Sequence, residues 1–173
     1  MSAWPIVKRL GEIPRSGTSF AFEADAKARA EIVRDLDLAS LDRFEGEIRV
    51  ESWLDGFQID GRYSAALAQI CGITAEPLPV QLANTFSLRV LPAASANAPQ
   101  AGEEVEIDPD AEDPPDLLED DRIDLTAYAF EHLALDLDPF PRKPGAEFVP
   151  PEESADLSPF AVLKAFKPPE DGQ

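Results

Sequence analysis

The sequence predicts an α+β fold in which a curved antiparallel β-sheet, a meander, carries two or three packed helices. Apolar and polar residues alternate from Phe44 to Val50 and again from Val80 to Val90, which is the period of half-buried strands. Between these runs, Asp55-Gly56 is a strong signal for a tight hairpin. Two further segments repeat their apolar residues at helical spacing, so strands and helices are expected in separate runs.

The first predicted elements are two short strands and a helix. Strands are expected over residues 4–10 and 19–22, around a turn rich in Gly, Pro and Ser. Asp25 follows as the expected N-cap of a helix over about residues 25–36, because an aspartate at this place accepts hydrogen bonds from the first free N–H groups.

Three strands should then form the meander. The run from Phe44 places apolar residues on one side and Glu or Arg on the other. Asp55-Gly56 is expected as a type I′ turn, after which residues 57–69 return as the partner strand with Gly61 as a bulge. The alternating run from Val80 supplies the third strand.

The negative charge is concentrated after residue 90. The chain carries 15 Lys and Arg against 34 Asp and Glu, a net charge of -19. Residues 1–90 sum to -3, residues 91–124 to -11 and residues 125–173 to -5. Residues 93–118 have few large apolar side chains to offset the entropy of ordering, so we predict a long flexible acidic loop there. Direct contact of this region with RNA phosphates is disfavoured, since such contact needs Lys and Arg.

A second helix and a separate tail should follow the acidic loop. Asp124 is the expected cap of the helix, whose apolar stripe is Leu125, Tyr128, Ala129 and Leu133. We expect one domain over residues 1–150 and a proline-rich tail over residues 151–173. In the tail, Ser158-Pro159 begins a short amphipathic helix with the candidate docking residues Phe160, Val162, Leu163 and Phe166. Such a helix is marginal alone in water, so it should dock either on the domain or on a partner.

The sequence lacks the usual marks of an active site or a membrane protein. It has no phosphate loop, dinucleotide fingerprint, nucleophile elbow or HExxH motif. Cys71 and His132 are the only cysteine and histidine, which are too few for a four-ligand structural zinc site. We therefore predict no catalytic residue, metal site, cofactor or small-molecule substrate. We also expect a cytoplasmic protein without membrane contact, because no signal-peptide or membrane-spanning apolar run is evident.

Three stretches, in this order, resemble the YceD family of large ribosomal RNA subunit accumulation proteins. The first runs from Tyr63 to Cys71 and continues through Pro77-Leu78-Pro79 into an alternating strand. The second is Ile123-Asp124-Leu125 with Glu131 and a leucine-rich run that leads to Pro141. The third joins residues 140–145 to residues 159–163 and is similar to a proteobacterial branch. Many relatives carry a second cysteine three residues after the first, where this chain has Thr74.

The resemblance implies a role in large-subunit ribosomal RNA synthesis, processing or stability, with no established catalytic residues. It marks motif positions of unknown role at Cys71, Asp124, Leu125, Glu131 and Pro141. We predict a non-enzymatic accessory factor that acts through a ribosome-assembly protein or an intermediate that contains ribosomal RNA. The alternatives are an acidic module that sequesters a basic protein unrelated to ribosomes, and a hydrolase or divalent-metal enzyme built on the acidic loop.

Overall fold

The computed structural model describes residues 4–98 and 113–148 of the chain. Within these residues the main sheet has five strands, β2 (Thr18–Glu23), β3 (Ser40–Trp53), β4 (Gly56–Ile70), β5 (Pro77–Pro92) and β6 (Asp116–Leu118), in spatial order β2-β3-β4-β5-β6. A small second sheet pairs β1 (Val7–Arg9) with β7 (Arg122–Asp124). The helices are α1 (Ala26–Asp35), α2 (Leu125–Asp136) and a short 3-10 turn at Leu10–Glu12. The predicted α+β class is confirmed.

The main sheet is mixed rather than wholly antiparallel. Strands β3 to β5 pair as the expected antiparallel meander, and β2 adds to it antiparallel to β3. Strand β6 runs parallel to β5 and aligns Val90 with Asp116. Because Asp116–Leu118 is a strand, the acidic loop predicted over residues 93–118 ends earlier than expected. Residues 99–112 of that loop lie outside the described residues. The same holds for residues 149–173, with the predicted tail helix and Phe160, Val162, Leu163 and Phe166.

One face of the long strands buries an aromatic core. The rings of Trp4, Phe22, Phe44 and Tyr63 contact one another at centroid distances of 5.3 to 5.8 Å, mostly edge to face. Both helices add apolar side chains to the same cluster, Ala28 and Ile32 from α1 and Leu125, Ala129 and Leu133 from α2. The caps predicted at Asp25 and Asp124 are confirmed, since the Asp25 carboxylate accepts the N–H of Ala28 and the Asp124 carboxylate accepts two N–H groups of the first turn.

The β3–β4 hairpin turns one residue earlier than predicted. Trp53 pairs with Gly56, so the loop consists of Leu54 and Asp55, and the positive φ of 50° falls on Leu54. Gly56 is a strand residue, and a Cβ at this position would lie 2.0 Å from the carbonyl oxygen of Val90. Glycine is required there because another backbone approaches closely, and not because a type I′ turn needs it.

The bulge predicted at Gly61 is also wrong. Gly61 pairs regularly with Ile48 on β3 and Phe86 on β5. A Cβ at Gly61 would lie 2.1 Å from the ring of Phe86, so this ring covers the glycine. The register shift of the β3–β4 pair lies instead between Leu41 and Arg43.

Candidate functional site

The beginning of α2 is fixed by the motif positions Asp124 and Leu125. Asp124 Oδ1 accepts the N–H groups of Thr126 at 3.0 Å and Ala127 at 3.2 Å, and it also accepts the Thr126 hydroxyl at 2.6 Å. Thr126 Oγ1 in turn accepts the N–H of Ile6 at 3.1 Å, while Leu125 is fully buried. These two motif positions therefore join the N-terminal segment to α2, which is a structural role.

The other end of α2 is held by a polar cluster that the sequence patterns did not identify. The Tyr63 hydroxyl donates to the carboxylate of Asp136, and Asn84 Nδ2 donates to both of its oxygens at 2.8 and 3.0 Å. Burial, and then the hydrogen bond to Asp136, raises the pKa of Tyr63, so the phenol remains a donor. The sequence signal was Asn84, which is the one polar residue in an otherwise apolar inward series on β5.

Cys71 and Pro141 are brought together beside the β4–β5 turn. The Cys71 side chain is buried, and its Sγ accepts the N–H of Thr74 at 3.5 Å and of Lys143 at 3.4 Å. The N–H of Gly72 donates to the carbonyl of Pro141 at 2.9 Å. The chain that follows α2 is thus attached to the turn, and a further ion pair joins Lys143 Nζ to Glu76 at 2.6 Å.

The hydrogen bonds to Cys71 favour its thiolate. The Thr74 side chain has the largest effect, followed by the N–H groups of Lys143, Thr74 and Ile73, and together they lower the pKa of Cys71 to about 6. The sole histidine is not beside it, because His132 stacks on the Phe86 ring with centroids 4.5 Å apart. Phe86 pairs with Gly61, which is roughly 30 Å of strand away from Cys71. The structure does not form a cysteine–histidine pair.

Glu131 belongs to a separate cleft between α2, the β5 edge and the chain that enters β6. The cleft has a volume of about 560 Å³, and its lining includes Leu88, Arg89, Asp113, Asp116, Tyr128 and Glu131. Burial, and then the negative charges of Asp116 and Glu131, raise the pKa of Tyr128 to about 12. The phenol therefore stays protonated near neutral pH beside these carboxylates, in a setting that favours cationic groups.

The outer face of the sheet is charged but alternates in sign. Arg62 pairs with Glu47 at 2.7 Å, and Arg49 pairs with Glu51. The Arg89 guanidinium lies 4.9 Å from the Trp53 ring centroid. Such a surface is not the continuous basic patch that binds a nucleic-acid backbone.

The described part of the chain contains neither a metal-binding cluster nor a membrane-spanning helix. Across residues 4–98 and 113–148, no three His, Cys, Asp or Glu side chains are grouped so that they could hold a metal ion. Nor does any helix within these ranges have the length and apolar composition needed to cross a membrane.

Comparison with protein families matches residues 59–167, well over half of the chain, to the family described as large ribosomal RNA subunit accumulation protein YceD. The matched residues run from β4 past α2 and include all five motif positions. The comparisons with curated proteins and with solved structures gave no match.

Proposed function

Since the chain belongs to the YceD family of large ribosomal RNA subunit accumulation proteins, we propose that it is a non-enzymatic accessory factor in the accumulation of this RNA. The family match is the observation that carries the proposal. It covers α2, β5 and nearly all residues that line the cleft between them. We place this activity in the cytoplasm.

The factor acts through a protein or ribonucleoprotein partner. With a net charge of -19, the chain repels bare RNA and attracts basic proteins. Exposed charges are screened over about 8 Å at physiological salt, so electrostatic attraction acts only at short range and is not selective. The specificity for one partner therefore comes from contacts in the cleft.

The environments of the reactive side chains support a non-enzymatic role. A catalytic cysteine must be accessible to its substrate, whereas the Cys71 sulfur is buried under the segment that carries Lys143. His132 lies against Phe86. Tyr128, with a pKa of about 12, is a hydrogen-bond donor and not a base at neutral pH.

Depletion of the protein in a bacterium that encodes it tests the proposal. We expect large-subunit ribosomal RNA to fall relative to small-subunit RNA, and the full chain supplied from a plasmid to restore the ratio. Quantification of both RNAs from the same extract gives the measurement. An unchanged ratio after complete depletion would overturn the proposal and favour a module that sequesters a basic protein unrelated to ribosomes.

A further inference from the structure

One edge of the main sheet is open along most of β5. Residues 77–90 pair with β4 on one side, but on the other side β6 pairs only with residues 90–92. Within residues 4–98 and 113–148, no strand pairs with the outer side of residues 77–89. An unpaired strand of this length is a template for an added strand.

The odd-numbered residues of β5 direct their backbone groups towards this edge. The N–H of Thr85 donates to Asn84 Oδ1 at 2.8 Å, and the N–H of Ala93, further along the chain, donates to Leu118 on β6 at 2.8 Å. In an antiparallel strand the N–H and C=O of one residue point the same way. Gln81, Ala83 and Ser87 therefore present both groups outward, and within the described chain their N–H groups have no hydrogen-bond partner.

Apolar side chains lie beside these backbone groups. Leu82 and Leu88 on the inner face of β5 are only partly buried. On α2, Leu135 is 78% exposed and continues the row of Tyr128 and Glu131, since these positions are three and four residues apart. An added strand would cover this apolar surface with every second side chain.

The negative charge around the β5 edge determines which kind of chain can bind there. Asp113, Asp116 and Glu131 line the cleft, while Arg89 also lines it but donates to Gln58 at 3.0 Å and stacks on Trp53. Residues 99–112 carry six acidic and no basic side chains, and residues 149–173 have a net charge of -3. A second copy of the chain would bring another -19. Repulsion disfavours each of these occupants, whereas electrostatic attraction favours a cationic chain.

We propose that the β5 edge over residues 81–87 binds an extended peptide rich in Lys and Arg as an additional strand. Backbone hydrogen bonds to Gln81, Ala83 and Ser87 provide affinity, while alternate side chains contact Leu82, Leu88 and Leu135 or the carboxylates of the cleft. This inference rests on the proposed function in that it specifies the chemistry of the protein partner.

Binding of a short peptide that alternates Lys with Val to the full chain is the test. We expect saturable binding that weakens with salt, with slower amide exchange at Gln81, Ala83 and Ser87. A peptide that alternates Glu with Val should not bind. Protection of these amides in the protein alone, or dimerisation in sedimentation, would show that the chain itself fills the edge and would overturn the proposal.

Ala83→Pro and Ala83→Thr form a matched pair of variants. Proline removes the outward N–H at an edge where the fold tolerates it, whereas threonine keeps the N–H. We expect the proline variant to lose about tenfold in affinity, the equivalent of one hydrogen bond, and the threonine variant to bind normally. Ser87→Pro serves as a second test if Ala83→Pro fails to fold, which amide protection in β4 would reveal. Equal binding by a folded proline variant would overturn strand addition.

The two proposals fail in distinguishable ways. Peptide binding with an unchanged ribosomal RNA ratio after depletion would reject the ribosomal role and keep the edge site. An altered ratio without peptide binding would reject the edge site alone.

Discussion

The aromatic core beneath β3 and β4 and the open edge of β5 satisfy their polar groups in different ways. In the core, the one hydroxyl among the four clustered rings, that of Tyr63, donates within the protein to Asp136. Along the edge, the N–H groups of Ala83 and Ser87 have no hydrogen-bond partner within residues 4–98 and 113–148. Substitutions in the core should therefore alter the free energy of unfolding, whereas substitutions at the edge should alter binding.

Removal of Phe44 should give the largest loss of stability. Its ring is fully buried and contacts the rings of Trp4, Phe22 and Tyr63. We expect Phe44→Ala to lower the free energy of unfolding by about 3–5 kcal/mol, because it removes apolar burial and leaves a cavity. Urea denaturation measures this, with Phe44→Leu as a milder control. A loss below about 0.5 kcal/mol would contradict the expectation that substitutions in the core lower the free energy of unfolding.

Gly61→Ala probes the boundary between the two regions, because the ring that covers Gly61 belongs to β5. The new Cβ would lie 2.1 Å from the ring of Phe86, which must move and disturb its stacking on His132. We expect a loss of about 1–3 kcal/mol, as overpacking typically produces. Gly11→Ala is the matched control, since a Cβ there meets nothing within 4 Å. Equal effects of the two variants would show that Phe86 accommodates the methyl group freely.

Glu131→Gln should have the smallest effect on stability. The side chain is exposed in the cleft, so we expect a change within about 0.5 kcal/mol in urea denaturation. Its negative charge contributes to the raised pKa of Tyr128, so its removal should lower this pKa from about 12 towards the ordinary value. Ultraviolet titration of the phenolate measures the shift, and binding of the Lys-Val peptide should weaken in parallel.

Glu23→Gln is the control for the titration, because it removes the same charge at the end of β2. An equal shift of the Tyr128 pKa in both variants would mean that net charge, and not the cleft, sets this pKa.

The elements that the sequence predicted well depend on neighbouring residues. Asp25 and Asp124 cap helices by contacts three residues away or fewer. The alternation from Phe44 to Val50 reflects a face that is buried along one strand. Such local patterns can be recognised in the sequence without knowledge of the tertiary fold.

The errors arose where a distant residue decides the structure. Gly56 faces the Val90 carbonyl, and Gly61 faces the Phe86 ring, so neither glycine has the local role that its neighbours suggested. The parallel pairing of β6 with β5 likewise joins residues that are far apart in the sequence, such as Val90 and Asp116.

The candidate site was predicted only in part for the same reason. The family resemblance marked Cys71 and Pro141 but not their proximity, which depends on contacts between segments far apart in the sequence. The resemblance also did not indicate which residues surround Glu131. The open edge was not predictable, because it results from the short length of β6 beside the long β5.

The attachment of the chain after α2 to Cys71 has a practical consequence for kinetics. The sulfur is the only thiol of the protein, and it is covered by the segment that contains Lys143. An alkylating reagent can reach it only when that segment separates from the β4–β5 turn. The labelling rate of the unmodified protein therefore reports how often the segment after α2 separates from the β4–β5 turn. No cysteine has to be introduced for this measurement.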